Sequence, residues 1–335
     1  MASAIELALV TRAGGEMNSE DFKARWSSHF APLLQRAREQ FHHDESRIAR
    51  NLQSGQPLRG LAAALDCVTS GGRLLGYEVA ATGSPPDAEL LRKVVRYGMW
   101  GWACMHARLS REGLSPFDTT GYERGLVWLW CVTRVCEIDG AFQWLSGYVY
   151  NSFRQGGMDD GGPQDVEFNN LLWLLSKSIR NGRWAPEAEP DEPLGLYASL
   201  VAATDDAAMA RSAESVCERM LRARLDGEPN ADGEPSIYEY DPWGATPVDL
   251  LAFREIRGSL TNEDLSLGHG HPLLEPPFVN FPNLHDFDYK TPLEPVSSAA
   301  RTLFGEEWRP WPELLDTKST EVATATGEIR KMTPG

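Results

Sequence analysis

The strongest metal-like constellation lies in the C-terminal third of the chain, where His269-Gly270-His271 is followed by His285-Asp286-Phe287-Asp288. Imidazole nitrogens combined with a carboxylate make up the donor set of a two-histidine, one-carboxylate iron site or of a zinc site. His269, His271, His285 and Asp288 are therefore the residues that could hold a metal for a metal-dependent enzyme. Their setting argues for another role: the stretch is rich in proline, has no HExxH pattern, and runs from His271 directly into Pro272-Leu273-Leu274. That context suits the anchoring of a loop. The expectation is a protein with no catalytic residues, no metal and no cofactor, with the histidine quartet as the alternative.

The other reactive groups are less well placed. His42-His43-Asp44-Glu45 are adjacent in sequence, so on a helix they fan over different faces and make a polar surface. His106 stands alone in an apolar helical run, as a structural histidine would. The chain contains no GxGxxG, Walker, GxSxG or SxxK pattern. Its five cysteines, Cys67, Cys104, Cys131, Cys136 and Cys217, are odd in number and form no CxxC pair. They read as reduced core residues.

A second kind of chemistry, recognition, is written in Tyr238-Glu239-Tyr240-Asp241-Pro242-Trp243. Aromatics alternating with acids in a loop are costly to expose and rigid enough to anchor a partner; folding over the core as a lid is the other option. Acidic loops at Asp159-Asp160 and around Glu189 and Asp191 join Tyr238, Glu239, Tyr240, Asp241 and Trp243 as candidate partner-binding residues. Residues 157–241 hold 18 acidic against 7 basic side chains, a net charge of −11 within a chain of −16. A surface of that sign repels nucleic acid and anionic membranes and attracts cationic proteins. With no basic leader and no long apolar run, the expected compartment is the cytoplasm.

The elements that must position these groups are helical. The segment 119–157 is the predicted hub: Leu126 to Val132 is apolar without interruption, too short to span a bilayer and long enough to make a helix buried all round. Phe142, Leu145, Val149 and Phe153 give the next helix one apolar face, so the two form a hairpin whose Trp128, Trp130 and Trp144 fill the core. Asp139 is placed to cap the second helix. Helical periods also mark Ser19 to Phe41, Pro57 to Ala81, Pro85 to Arg111 with proline in its first turn, Phe168 to Ile179, Leu194 to Ala203, Asp205 to Leu225, and Thr246 to Arg257. Gly258 to Pro295 reads as coil wrapping over helix ends. The predicted fold is all-α, a multi-helix bundle or short solenoid-like array with a proline-rich C-terminal coil. It divides into helical halves at residues 1–156 and 163–315, and residues 316–335 form a disordered tail.

Over residues 194–278 the order Leu196-Tyr197…Leu200, Asp205-Asp206, Glu218, Asp241-Pro242-Trp243-Gly244, Pro247…Leu250-Leu251-Ala252 and His271-Pro272-Leu273-Leu274 resembles helical immunity proteins of bacterial polymorphic-toxin and type VI secretion systems. The resemblance implies binding and neutralising one cognate toxin, without catalysis or cofactor.

Overall fold

A computed structural model of the chain describes residues 19–115, 117, 122–155, 166–184, 186, 194–227, 245–306 and 308. Among them there are ten α-helices and no strand, so the all-α expectation holds. The helices are α1 (Ser19–Gln53), α2 (Pro57–Thr82), α3 (Ala88–Arg111), α4 (Glu123–Val135), α5 (Asp139–Arg154), α6 (Val166–Asn181), α7 (Ala198–Ala202), α8 (Asp206–Asp226), α9 (Val248–Thr261) and α10 (Glu294–Phe304). The expected boundary near residues 156–163 and the tail 316–335 lie outside the described residues.

The hub behaves as its sequence demands. Every residue of α4 from Gly125 to Thr133 is buried, and this helix packs against α2, α3, α5 and α9. A second centre is α2, which lies against α1, α3, α4 and α10. Glycines let α3 come close to both centres: a Cβ on Gly98 would sit 2.4 Å from Leu129 of α4, and one on Gly101 would sit 2.6 Å from Leu65 of α2. The hairpin tryptophans are all interior, with Trp130 fully buried and its Nε1 donating to Ser146 Oγ at 2.9 Å.

Several local expectations change on folding. α1 continues past Phe41 to Gln53, because Asp44 is 2% exposed and turns inward in place of facing water. Asp44 accepts from Gln40 at 3.0 Å and Arg47 at 3.2 Å, while Arg47 also reaches Asp66 at 2.9 Å. Glu45 accepts from the Tyr97 hydroxyl at 2.9 Å and pairs with Lys93, so this stretch ties α1 to α2 and α3. Only His42 and His43 remain exposed. The first turn of α3 is set by Asp87, whose carboxylate accepts from the Leu90 N–H at 2.7 Å, and the prolines precede it. Asp139 does not cap α5: Ile138 holds the cap position without a side-chain bond, and Glu137 turns the chain at φ 59°. α9 runs to Thr261, four residues beyond the predicted end, and α10 was not foreseen in the sequence.

Candidate functional site

The histidine-bearing coil lies along one ridge of α8, and its spacing explains its composition. Ser266 N–H donates to Asp206 Oδ1 at 2.9 Å. A Cβ on Gly268 would fall 2.6 Å from Ala210 and one on Gly270 would fall 1.9 Å from Glu214 Oε1, and His271 Nε2 lies 3.7 Å from Glu218 Oε1. Asp206, Ala210, Glu214 and Glu218 are four apart, one per helical turn, so the extended coil meets α8 at every turn of the same face. Glycine is required at 268, where φ is 77° and a Cβ would meet Ala210, whereas a side chain at 270 would have to displace the Glu214 carboxylate. His269, between them, is exposed.

His271 is engaged structurally. It is 5% exposed, its Nδ1 accepts the Leu273 N–H at 3.1 Å to cap the 3-10 turn of residues 272–274, and its ring meets Phe22 of α1 edge-on at 5.8 Å. Burial holds its pKa down at about 4 against the pull of Glu275, so it is neutral at pH 7. His285 sits farther along, where the coil crosses to the turn between α4 and α5: Leu284 N–H donates to Cys136 O at 2.8 Å and Asn283 to Glu137 at 2.7 Å. Its two ring nitrogens meet Asn283 Oδ1 and Asp286 Oδ2, each at 2.8 Å. Asp288 accepts from the Thr291 hydroxyl and from the Lys290 N–H at 2.9 Å, bonds that hold its carboxyl below the usual range. The structure thus splits the metal quartet, leaving His269 and His271 on α8 and sending His285 and Asp288 across to other helices. Among the described residues no group of three or more His, Cys, Asp or Glu side chains could hold a metal ion.

The candidate partner-binding residues Asp159, Asp160, Glu189, Asp191, Tyr238, Glu239, Tyr240, Asp241 and Trp243 lie outside the described residues. Their roots are described. On the N-terminal side of Glu189, the Trp184 ring stands 5.8 Å from Phe253 with the Arg257 guanidinium 5.4 Å over it. On the C-terminal side of Asp191, Leu194 leads into a 3-10 turn, where Glu167 accepts the Leu196 N–H at 3.0 Å. Gly227, in the left-handed region at φ 65°, ends α8 before Tyr238, and fully packed Ala245 follows Trp243. Leu196 and the outer face of α8, with Arg211, Glu214, Ser215, Glu218, Arg219 and Arg222, line an open cavity of about 630 Å³.

Sequence reasoning missed Arg257. It is 5% exposed and donates to the carbonyls of Leu200 and Val201 at 3.3 Å and to that of Ala203, meeting the negative end of α7 with a positive charge. The available signal was an arginine directly after Leu250, Leu251, Phe253 and Ile256 in one apolar stripe. All five cysteines are buried and free, and burial raises each thiol pKa. Among the described residues no helix is long and apolar enough to cross a membrane. Compared with known proteins, the chain matches no family model, no curated protein and no solved structure.

Proposed function

We propose that this chain is an immunity-type protein that binds a cognate basic toxin and neutralises it by covering its active site or binding surface. The observation that carries the reading is the net charge of −11 gathered in residues 157–241, interleaved with Tyr238, Tyr240 and Trp243. The likeness of residues 194–278 to helical immunity proteins of type VI secretion and polymorphic-toxin systems points the same way. On this reading the protein works in the cytoplasm of the producing bacterium, by contact alone and with no cofactor.

The supporting helices suit such a role. Arg257, Glu167 and the edge-on contact of Trp184 with Phe253 brace the described ends of the segment carrying Glu189 and Asp191. Loops on rigid roots lose less freedom on binding. Aromatic anchors set the dissociation rate and rim acids set the encounter rate.

The experiment is co-expression with the toxin encoded beside the gene, followed by binding kinetics on the purified pair. The wild-type chain restores growth and binds; Tyr240→Ala with Trp243→Ala, still folded, loses about 2 kcal/mol or more through faster dissociation. Neutralising Asp159, Asp160, Glu189 and Asp191 slows association and flattens its salt dependence. Unchanged dissociation of the aromatic double variant would place the interface elsewhere, and failure to bind any basic toxin would end the proposal.

A further inference from the structure

We infer that Trp102 and His106 hold one buried water molecule between α3 and α5. Trp102 is 1% exposed, and its indole Nε1 is shut off from solvent without a hydrogen-bond partner. One helical turn on, Nδ1 of half-buried His106 is in the same condition. Both rings rest on Tyr148 of α5, with centroids 5.5 Å and 5.9 Å away. Residues four apart on a helix share a face, so the two side chains that carry the orphaned nitrogens stand against the same aromatic wall. Tyr122 stands edge-on to Trp102 at 6.1 Å and Phe117 to His106 at 5.4 Å, completing it.

The donor and acceptor types determine what fits. An indole N–H can only donate, so the guest must present an acceptor, and a cation is disfavoured beside that N–H. Burial lowers the pKa of His106, which leaves a neutral ring whose Nδ1 can accept. One oxygen that accepts from Trp102 and donates to His106 satisfies both groups, and water does this with a single atom. Buried polar groups in folded proteins are paired with protein or with ordered water in the great majority of cases.

The test combines crystallography with water-detected NMR on the full chain. A high-resolution crystal structure is expected to show an ordered water within about 3.2 Å of both nitrogens. In solution the Trp102 indole proton shows an exchange-independent cross-peak to water, which disappears in Trp102→Phe, while His106 carries its proton on Nε2. The inference is overturned if the crystal shows no oxygen between the two rings, or shows either nitrogen bonded to a protein group. An unfolded Trp102→Phe leaves the crystallographic result and the His106 tautomer to decide.

Discussion

Nε2 of His271 lies 3.7 Å from Oε1 of Glu218, so a buried neutral imidazole and a half-exposed carboxylate mark the point where coil and α8 meet. Two influences oppose each other there. Burial disfavours the imidazolium and the Glu275 carboxylate favours it; burial wins, and the pKa falls from 6.5 to about 4. A folded-state pKa below the unfolded value means that the unfolded chain takes up the proton first.

His271 should therefore contribute full stability above pH 6.5 and lose it as the pH falls toward 4. The loss attributable to this group is on the order of 3 kcal/mol. Urea unfolding at several pH values checks it, with His271→Gln as the comparison. The variant is less stable at pH 7 and changes less between pH 6.5 and 4; equal slopes would remove His271 as the cause.

Two helical glycines should respond with opposite sign to the same substitution. Gly98→Ala forces a Cβ to 2.4 Å from Leu129, and overpacking of about 1–3 kcal/mol outweighs the gain in helix propensity of about 0.5–1 kcal/mol. Gly147 in α5 has nothing within 4 Å of its Cβ position, so Gly147→Ala keeps only the gain. Thermal melts of the two variants, one lowered and one raised, are the measurement.

Trp130 should dominate the hub. Trp130→Ala removes a fully buried indole and is expected to cost about 3–5 kcal/mol. Trp130→Phe keeps much of the packing but deprives Ser146 of its donor at 2.9 Å, at a cost of about 1–2 kcal/mol. Denaturant midpoints that rank the two the other way would contradict the packing described for α4.

The thiols supply a test of burial. Each has its pKa raised by burial, so none offers a thiolate to a reagent at pH 8. A colorimetric thiol assay should count close to zero in the native protein and five after denaturation. Rapid labelling of any cysteine in the folded state would show that part of the core opens readily.

What the sequence revealed depended on periodicity. Leu126 to Val132 and the stripe of Phe22, Trp26, Phe30 and Phe41 located their helices because the pattern repeats with the helix itself. Asp44 and Asp139 were misjudged for a common reason: the fate of a carboxylate depends on what other helices bring to it. Asp44 finds Arg47 and the neighbourhood of Asp66 and is buried, whereas Asp139 sits inside α5 with Arg134 at 3.8 Å. The histidine coil was half legible. Adjacency to proline and leucine signalled anchoring, but the four-residue ladder of Asp206, Ala210, Glu214 and Glu218 becomes visible only once α8 is folded beside it.

The coil between α9 and α10 also has a consequence for the order of folding. It bonds to residues remote in sequence: Arg96 Nε donates to Asp288 O across 192 positions, and Trp100 Nε1 to Lys290 O across 190. Neither bond can form until α3 and the C-terminal third have been brought together, whereas pairs such as α1 with α2 and α4 with α5 close through short turns. Distant closures follow local ones because the chain entropy they cost is recovered only at the end. The helical pairs therefore assemble first and the coil docks last, so the amide proton of Leu284, which donates to Cys136 O, gains protection after those of α4 during refolding.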